Sequence, residues 1–206
     1  MTKKVFLGGE GRNELGGWDG HHAYQTSGSP GIVEALLRRV QPEGWEVGGA
    51  MRWSSIRKLR VGAHGSAEEQ NVKALCLHAR ERGCNVVAFV RDADENEIRA
   101  TTILYTIMNE ATADGGLRIV GGVAVNVIES WILAMQGHTK SESLGRIAAQ
   151  LKLAAQGVPA KDTFAMVAVV DTVDIGKLPP DAESLLLWIQ KASEALTFSG
   201  EGTKGK

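Results

Sequence analysis

The segment Asn85–Arg91 constrains the fold of this chain most, because its interior is continuously apolar (NVVAFVR). Such a run predicts a β-strand that is covered on both faces, which is the position of a central strand in a parallel sheet. Asp92 and Asp94 follow the run directly and flank one residue. At the end of a strand, this spacing directs both carboxylates to the same side.

Alternating strands and helices surround this central segment. Short apolar runs that end in turn residues predict further strands, and apolar residues at helical spacing predict helices, with Ser29 and Ser66 as their caps. The predicted strands are Lys4–Gly8, Trp45–Met51 and Leu117–Val120, and the predicted helices cover residues 29–40, 66–82 and 95–110. This alternation predicts an α/β fold with a mostly parallel central sheet and right-handed crossovers.

The sequence changes character after Asn126, where the apolar pattern becomes helical throughout. The predicted helices cover residues 127–135, 141–156, 160–170 and 181–196. We therefore expect residues 1–125 to form the α/β core and residues 126–196 to form a helical part packed on the same domain. Residues 197–206 are polar and glycine-rich, and we expect a flexible tail there.

Composition narrows the classes of function and location. The chain has 206 residues, 43% of them hydrophobic, which suits one domain with a full core. Its formal net charge of -1 provides no overall basic field, so nucleic-acid binding requires a local patch. Cys76 and Cys84 fit no zinc or redox motif and are expected to be buried. The chain lacks a signal-peptide core and any run of about 18 apolar residues, so we expect a cytoplasmic protein without a membrane partner.

Acidic residues follow the first and the central predicted strands. Glu10 and Glu14 lie in a glycine-rich segment after the first strand, and Asp92 and Asp94 follow the central one. The carboxyl ends of neighbouring parallel strands form the usual ligand-binding edge of a sheet. Four carboxylates there repel one another unless a cation neutralises them, and hard oxygen ligands favour Mg²⁺ or Mn²⁺. In the alternative interpretation, Asp94 caps the helix that starts near Glu95, and Glu14 is solvated.

These motifs resemble the Toprim fold, which topoisomerases, bacterial primases and OLD-type nucleases share. The segment Glu10-Gly11-Arg12-Asn13-Glu14 is most similar to the OLD-nuclease variant, and Asp92 and Asp94 match the Toprim acidic pair. Residues 126–134 and 174–185 resemble segments of small stand-alone Toprim-like proteins of uncharacterised function. The resemblance spans about residues 3–196, but the Gly-, His- and Trp-rich segment between Gly11 and Ser29 departs from it.

The resemblance implies a metal-dependent nuclease that acts on nucleic acid, most simply DNA. Glu10, Asp92 and Asp94 would be the catalytic residues, with Glu10 as a general-base candidate. Mg²⁺ or Mn²⁺ would be bound by these three residues and Glu14. Glu129 would be a further ligand or, alternatively, a helix residue that caps or pairs with an arginine. Small proteins of this kind often act with a separately encoded ATPase in phage defence.

A basic segment follows the second predicted strand and offers a phosphate-binding surface near the acidic residues. Its members are Arg52, Arg57, Lys58, Arg60 and His64. The alternative is an ordinary solvated loop with Trp53 in the core. His21 and His22 lie in the glycine-rich segment, where a surface loop is the favoured interpretation.

Two other functions compete with the nuclease. The chain could be a non-catalytic Toprim-like partner of an ATPase; it has no phosphate-binding loop of its own, so ATP hydrolysis by this chain is not expected. A phosphatase with an aspartate nucleophile is disfavoured, because such enzymes place Thr or Val after the second aspartate of a first strand. Here Glu95 follows Asp94, and the strand comes later in the chain.

Overall fold

A parallel β-sheet organises the computed structural model of this protein, which describes residues 2–18, 29–56, 65–113 and 116–197. Within these ranges, four strands are hydrogen-bonded in the order β2-β1-β3-β4, and every neighbouring pair is parallel. The strands are β1 (Lys3–Gly9), β2 (Trp45–Arg52), β3 (Val86–Asp92) and β4 (Arg118–Ala124). The predicted α/β fold class is confirmed.

The chain reverses its direction of strand addition between β1 and β3. Leu7 of β1 pairs with Ala50 of β2 on one side and with Ala88 of β3 on the other. The chain thus adds β2 to one side of β1 and then crosses back to add β3 and β4. Such a reversal opens a crevice at the carboxyl ends of the two strands where it occurs.

Helices cover both faces of the sheet. They are α1 (Arg12–Leu15), α2 (Ile32–Val40), α3 (Trp53–Ile56), α4 (Ala67–Glu81), α5 (Glu97–Ala113), α6 (Ile128–Met135), α7 (Arg146–Ala155), α8 (Thr163–Thr172) and α9 (Glu183–Thr197). Short 3₁₀ turns occur at Gly16–Trp18, Ser141–Ser143 and Ile175–Lys177. Among these helices, none combines the length and the apolar composition that a bilayer crossing requires.

Alternate residues of the strands feed two separate hydrophobic cores. Val86, Ala88 and Val90 of β3 pack with helices α2, α6 and α9 on one face. Val87 and Phe89 pack with α3, α4 and α5 on the other. Every residue of β3 is buried, so the predicted central strand is confirmed.

The helices after β4 belong to the first of these cores. Trp188 of α9 is 1% exposed, and its indole N–H donates a hydrogen bond of 3.0 Å to the carbonyl of Phe89 in β3. A Cβ on Gly122 would lie 2.4 Å from the Trp188 ring, so glycine lets α9 approach β4 closely. Thr197, the first residue of the predicted tail at 197–206, belongs to α9, and residues 198–206 lie outside the described residues.

Several predicted boundaries are wrong. Helix α2 begins at Ile32 with Gly31 as its N-cap, so Ser29 does not cap it. The predicted helix at 141–156 is interrupted between its 3₁₀ turn and α7. Ser66 does cap α4: its hydroxyl accepts a hydrogen bond of 3.1 Å from the Glu69 N–H.

The cysteines are free and buried, as predicted. Burial raises the pKa of the Cys76 thiol to about 12. This thiol therefore stays protonated at neutral pH and is a poor nucleophile or metal ligand.

Candidate functional site

Asp92 lies at the carboxyl end of β3 and is 5% exposed. Its Oδ1 accepts a hydrogen bond of 2.9 Å from the Ile128 N–H at the start of α6, and its Oδ2 lies 3.2 Å from Arg146. Burial raises the pKa of Asp92 to about 7, and the negative charges of Glu14 and Glu129 add to the increase. Asp92 therefore lies in a crowded negative environment that Arg146 only partly compensates.

Asp94 lies in a strained turn between β3 and α5. Asp94 and Glu95 have φ angles of 52° and 61°, in the left-handed region that side chains with a Cβ disfavour. The Asp94 carboxylate contacts Arg146 and accepts a hydrogen bond of 2.8 Å from Arg99. Burial alone would raise the Asp94 pKa, but hydrogen bonds from Arg146 and Arg99 outweigh it, and the pKa is lowered.

The alternative role of Asp94 as a helix cap is wrong. Helix α5 begins at Glu97, and the side chain of Asn96 accepts a hydrogen bond of 2.9 Å from the Arg99 N–H. Asn96 caps the helix, and the Asp94 carboxylate is directed to arginines instead.

Glu10 connects the ends of β1 and β3. Its carboxylate contacts the Arg91 guanidinium and accepts a hydrogen bond of 3.2 Å from the Asp92 N–H. The Glu10 side chain is 31% exposed. The first and central strands therefore meet at their carboxyl ends, as the sequence predicts.

Glu14 is buried in α1 rather than solvated, with 7% of its surface exposed. Its Oε2 accepts a hydrogen bond of 2.8 Å from the Gly11 N–H. A Cβ on Gly9 would lie 2.4 Å from the Glu14 Cβ, so glycine allows α1 to fold back against the end of β1. The glycines of this segment thus place Glu14 near Asp92.

Glu129 in α6 has a carboxylate oxygen without a partner among the described residues. The residue is 4% exposed, and its Oε1 accepts a hydrogen bond of 2.9 Å from Gln150 of α7. Its Oε2 is buried and accepts no hydrogen bond within the described ranges. Glu129 therefore does not cap its helix, and an orphaned buried oxygen indicates a place for a ligand.

Three arginines, Arg91, Arg99 and Arg146, surround these carboxylates, although none of them is among the predicted site residues. Arg91, with a side chain 6% exposed, lies 3.5 Å from Glu68, and Arg99 lies 3.3 Å from the same carboxylate. Burial lowers the pKa of Arg91 to about 10, and the charge of Arg99 adds to the decrease. A sequence signal exists for Arg91, because an arginine inside an apolar strand requires an acidic partner.

The donor atoms suit a divalent cation, but their arrangement does not. Carboxylate oxygens from Glu10, Glu14, Asp92, Asp94 and Glu129 are the ligands that Mg²⁺ and Mn²⁺ prefer. Yet over residues 2–18, 29–56, 65–113 and 116–197, no three His, Cys, Asp or Glu side chains form a group that could hold a metal ion. Arginines bind three of the carboxylates, Glu10, Asp92 and Asp94, instead.

The predicted basic surface is described only at its first residue. Arg52 ends β2, and one of its terminal nitrogens would lie 3.6 Å from a Cβ on Gly11, so it borders the acidic segment. Trp53 begins α3 and is 2% exposed, so it is a core residue. Arg57, Lys58, Arg60 and His64 lie outside the described residues, as do His21 and His22.

An open cavity of about 310 Å³ adjoins Glu10 on the solvent side. It is lined by Glu10, Gly11, Arg12, Asn13, Glu14 and Lys161. The cavity gives a ligand from solvent access to the exposed part of the Glu10 carboxylate.

Comparisons of this chain with models of protein families, with curated proteins and with solved structures found no match. The resemblance to the Toprim fold stays a prediction that rests on the short motifs described above.

Proposed function

We propose that the protein is a Toprim-type, Mg²⁺- or Mn²⁺-dependent nuclease that hydrolyses phosphodiester bonds, most simply in DNA. The observation that carries this proposal is the meeting of Glu10 and Asp92 at the reversal point between β1 and β3, where the Glu10 carboxylate accepts from the Asp92 N–H at 3.2 Å. Ligands bind at this position in open parallel sheets. The buried, unpartnered oxygen of Glu129 adds a further donor atom.

The individual residues have distinct roles in this proposal. Glu10, Glu14, Asp92, Asp94 and Glu129 would hold the cation, which would supply positive charge for the attacking and leaving oxygens. The Glu10 side chain is 31% exposed and lines the open cavity, so it is the candidate that accepts a proton from water. Arg52 and Lys161 border the same region and supply positive charge for a phosphate backbone.

The same resemblance supports a setting for the activity. We propose that the protein acts in the cytoplasm in phage defence, together with a separately encoded ATPase. A partner that delivers nucleic acid suits a chain whose net charge of -1 gives it little attraction for DNA.

A non-catalytic partner subunit of such an ATPase is the second candidate. The contacts that favour it are those of the arginines with Glu10, Asp92 and Asp94, because these contacts satisfy the carboxylates without a metal. The phosphatase alternative has less support. Asp92 is 5% exposed and is engaged by the Ile128 N–H and Arg146, so it is not available as a nucleophile.

Plasmid nicking tests the proposal directly. Purified protein is incubated with supercoiled plasmid and Mn²⁺ or Mg²⁺, with EDTA as a control. We expect metal-dependent nicking that falls by at least about a hundredfold in Asp92→Asn and Glu10→Gln. The matched control is Asp171→Asn, which removes an exposed carboxylate on α8 and should nick like the wild type. Folded wild-type protein that binds metal without nicking would favour the partner-subunit function.

A further inference from the structure

The Arg146 guanidinium lies between the two aspartates that follow β3. One guanidinium nitrogen, Nη2, lies 3.2 Å from Asp92 Oδ2 and also contacts Asp94 Oδ1. A single positive charge thus joins both carboxylates of the acidic pair. In the described part of the chain, this acidic pair is therefore bound by an arginine and is not assembled into a metal-binding group.

The arginines differ in how easily they could leave the carboxylates. Arg99 also donates to the backbone carbonyls of Asp92 and Ala93, at 3.1 and 3.2 Å, so it holds the strand end itself. Arg91 is buried, with a side chain 6% exposed. The Arg146 side chain is 47% exposed, so it can move from the aspartates into solvent without losing its hydration.

The backbone around Arg146 is fixed while its side chain is not. The Asn126 side chain donates hydrogen bonds of 3.0 Å to the carbonyls of Glu142 and Leu144, just before α7. A Cβ on Gly145 would lie 2.8 Å from a Glu95 oxygen, so this segment packs on the Asp94–Glu95 turn. A rotation of the Arg146 side chain alone can therefore open the aspartate pair.

A second observation indicates that this cluster has a missing ligand. Gln150 lies one turn after Arg146 on α7 and binds one oxygen of Glu129, while the other oxygen is buried without a partner among the described atoms. The face of α7 that carries Arg146 therefore meets a carboxylate that is only half satisfied. A cation that replaced the Arg146 guanidinium would have this oxygen available.

We propose that Arg146 couples phosphate binding to metal binding in this protein. Its guanidinium holds Asp92 and one oxygen of Asp94 in the free protein and transfers to a phosphate of the bound nucleic acid, which releases Asp92 Oδ2 and Asp94 Oδ1 for a divalent cation, while Arg99 keeps the other Asp94 oxygen. Guanidinium groups bind carboxylates and phosphates with the same donor geometry, so the exchange replaces one charge-assisted pair with another. This inference rests on the proposed nuclease function.

Thermodynamic linkage makes the proposal measurable without catalysis. If a phosphate ligand removes Arg146 from the aspartates, it strengthens metal binding, and metal strengthens phosphate binding by the same factor. Couplings of this kind commonly amount to about 5- to 150-fold in affinity. A variant without the guanidinium should bind metal tightly even without a phosphate ligand, and the phosphate ligand should not strengthen its metal binding further.

Isothermal titration with Mn²⁺, in the presence and absence of thymidine 3′,5′-bisphosphate, tests this coupling in the full chain. In the wild type, the nucleotide should strengthen Mn²⁺ binding about tenfold. Arg146→Gln should bind Mn²⁺ about tenfold more tightly than the wild type without nucleotide, and the nucleotide should add nothing further. Arg146→Lys keeps the positive charge but not the planar guanidinium. Its Mn²⁺ affinity and its coupling to the nucleotide should lie between those of the wild type and Arg146→Gln.

Arg38→Gln is the matched control, because Arg38 is also paired with a buried glutamate and its side chain is 48% exposed. It should behave like the wild type. Equal Mn²⁺ affinity in the wild type and Arg146→Gln, or coupling that persists in the variant, would overturn the role of Arg146 and leave the metal site standing. An absence of Mn²⁺ binding in every variant, with circular dichroism showing that all are folded, would overturn the metal site itself.

Discussion

Arg91 and Arg146 both neutralise carboxylates of the same acidic edge, but they do so in different environments. Arg91 is buried between Glu10 and Glu68, and its guanidinium lies 5.7 Å from the centre of the Trp53 ring. Arg146 approaches the aspartates from α7 and is half exposed. The contrast separates a structural ion pair from an exchangeable one.

The difference also appears in the balance of charge. Arg91 and Arg99 share Glu68, which also accepts a hydrogen bond of 2.9 Å from the Trp53 indole, so cations and anions interleave there. Around Asp92, burial raises the pKa of this carboxyl to about 7, and the charges of Glu14 and Glu129, which outnumber what Arg146 neutralises, add to the increase. A site that binds a cation requires such an excess, whereas a structural network does not.

Removal of the buried arginine should have the largest effect on stability. Arg91→Met should lower the free energy of unfolding by about 3 kcal/mol, because it removes the ion-pair partner of Glu10 and one of the two arginines that bind the buried Glu68. Arg146→Met should lower it by less than about 1 kcal/mol, since Arg146 is half exposed, and Asp92 and Asp94 keep the Ile128 N–H and Arg99 as partners. Urea denaturation monitored by circular dichroism measures both. Similar losses in the two variants would remove the distinction between the arginines.

The Asp92 charge should appear in the pH dependence of stability. Its pKa of about 7 in the folded chain lies above the ordinary value of 3.8, so the folded state retains a proton that the unfolded state releases. Stability from this group is therefore fully present below about pH 4 and is lost as the pH rises to about 7. At pH 8 in EDTA, Asp92→Asn should be more stable than the wild type by about 4 kcal/mol.

Comparing the stability of Asp92→Asn with that of the wild type at each pH separates the contribution of Asp92 from those of the other titrating groups. The stability difference between Asp92→Asn and the wild type should shrink towards zero near pH 4. A difference that stays constant from pH 4 to pH 8 would show that Arg146 already neutralises Asp92 fully.

The smallest expected effect concerns the turn that presents Asp94 to Arg146. Glu95 is exposed and has a φ of 61°, so Glu95→Gly should relieve backbone strain and stabilise the fold by about 0.5 kcal/mol, after its entropic cost. Glu97→Gly, two residues later at the start of α5, should instead destabilise by up to about 1 kcal/mol. Thermal denaturation should give a higher melting temperature than the wild type for Glu95→Gly and a lower one for Glu97→Gly. A change in the same direction for both variants would argue against strain in the turn.

Much of the sheet could be predicted from local pattern. The strands predicted at Lys4–Gly8, Trp45–Met51 and Asn85–Arg91 lie within one residue of β1, β2 and β3, because buried parallel strands are short apolar runs with clear ends. The strand predicted at Leu117–Val120 was too short. Gly121 and Gly122 look like a break, but they continue β4, where glycine makes room for Phe89 and Trp188.

The candidate site was predictable only as far as its acidic members. Glu10 and Asp92 follow strands that pair directly, and parallel pairing brings their ends together. Arg146 is 52 residues from Asp94 in sequence, and no local pattern indicates which of many arginines will reach an aspartate. Long-range ion pairs depend on helix packing that periodicity does not encode.

The hydrogen bond from Trp188 to the carbonyl of Phe89 has a consequence for how the protein is made. During synthesis the ribosome releases β3 and its acidic pair long before α9, whose tryptophan closes one face of that strand. Until then, the part of this sheet face that α9 covers is exposed, while α2 and α6 can pack on the rest. The nascent chain should therefore depend on chaperones until α9 is synthesised, and a ribosome that stalls before Trp188 should leave a polypeptide with an uncovered apolar surface on β3 and β4.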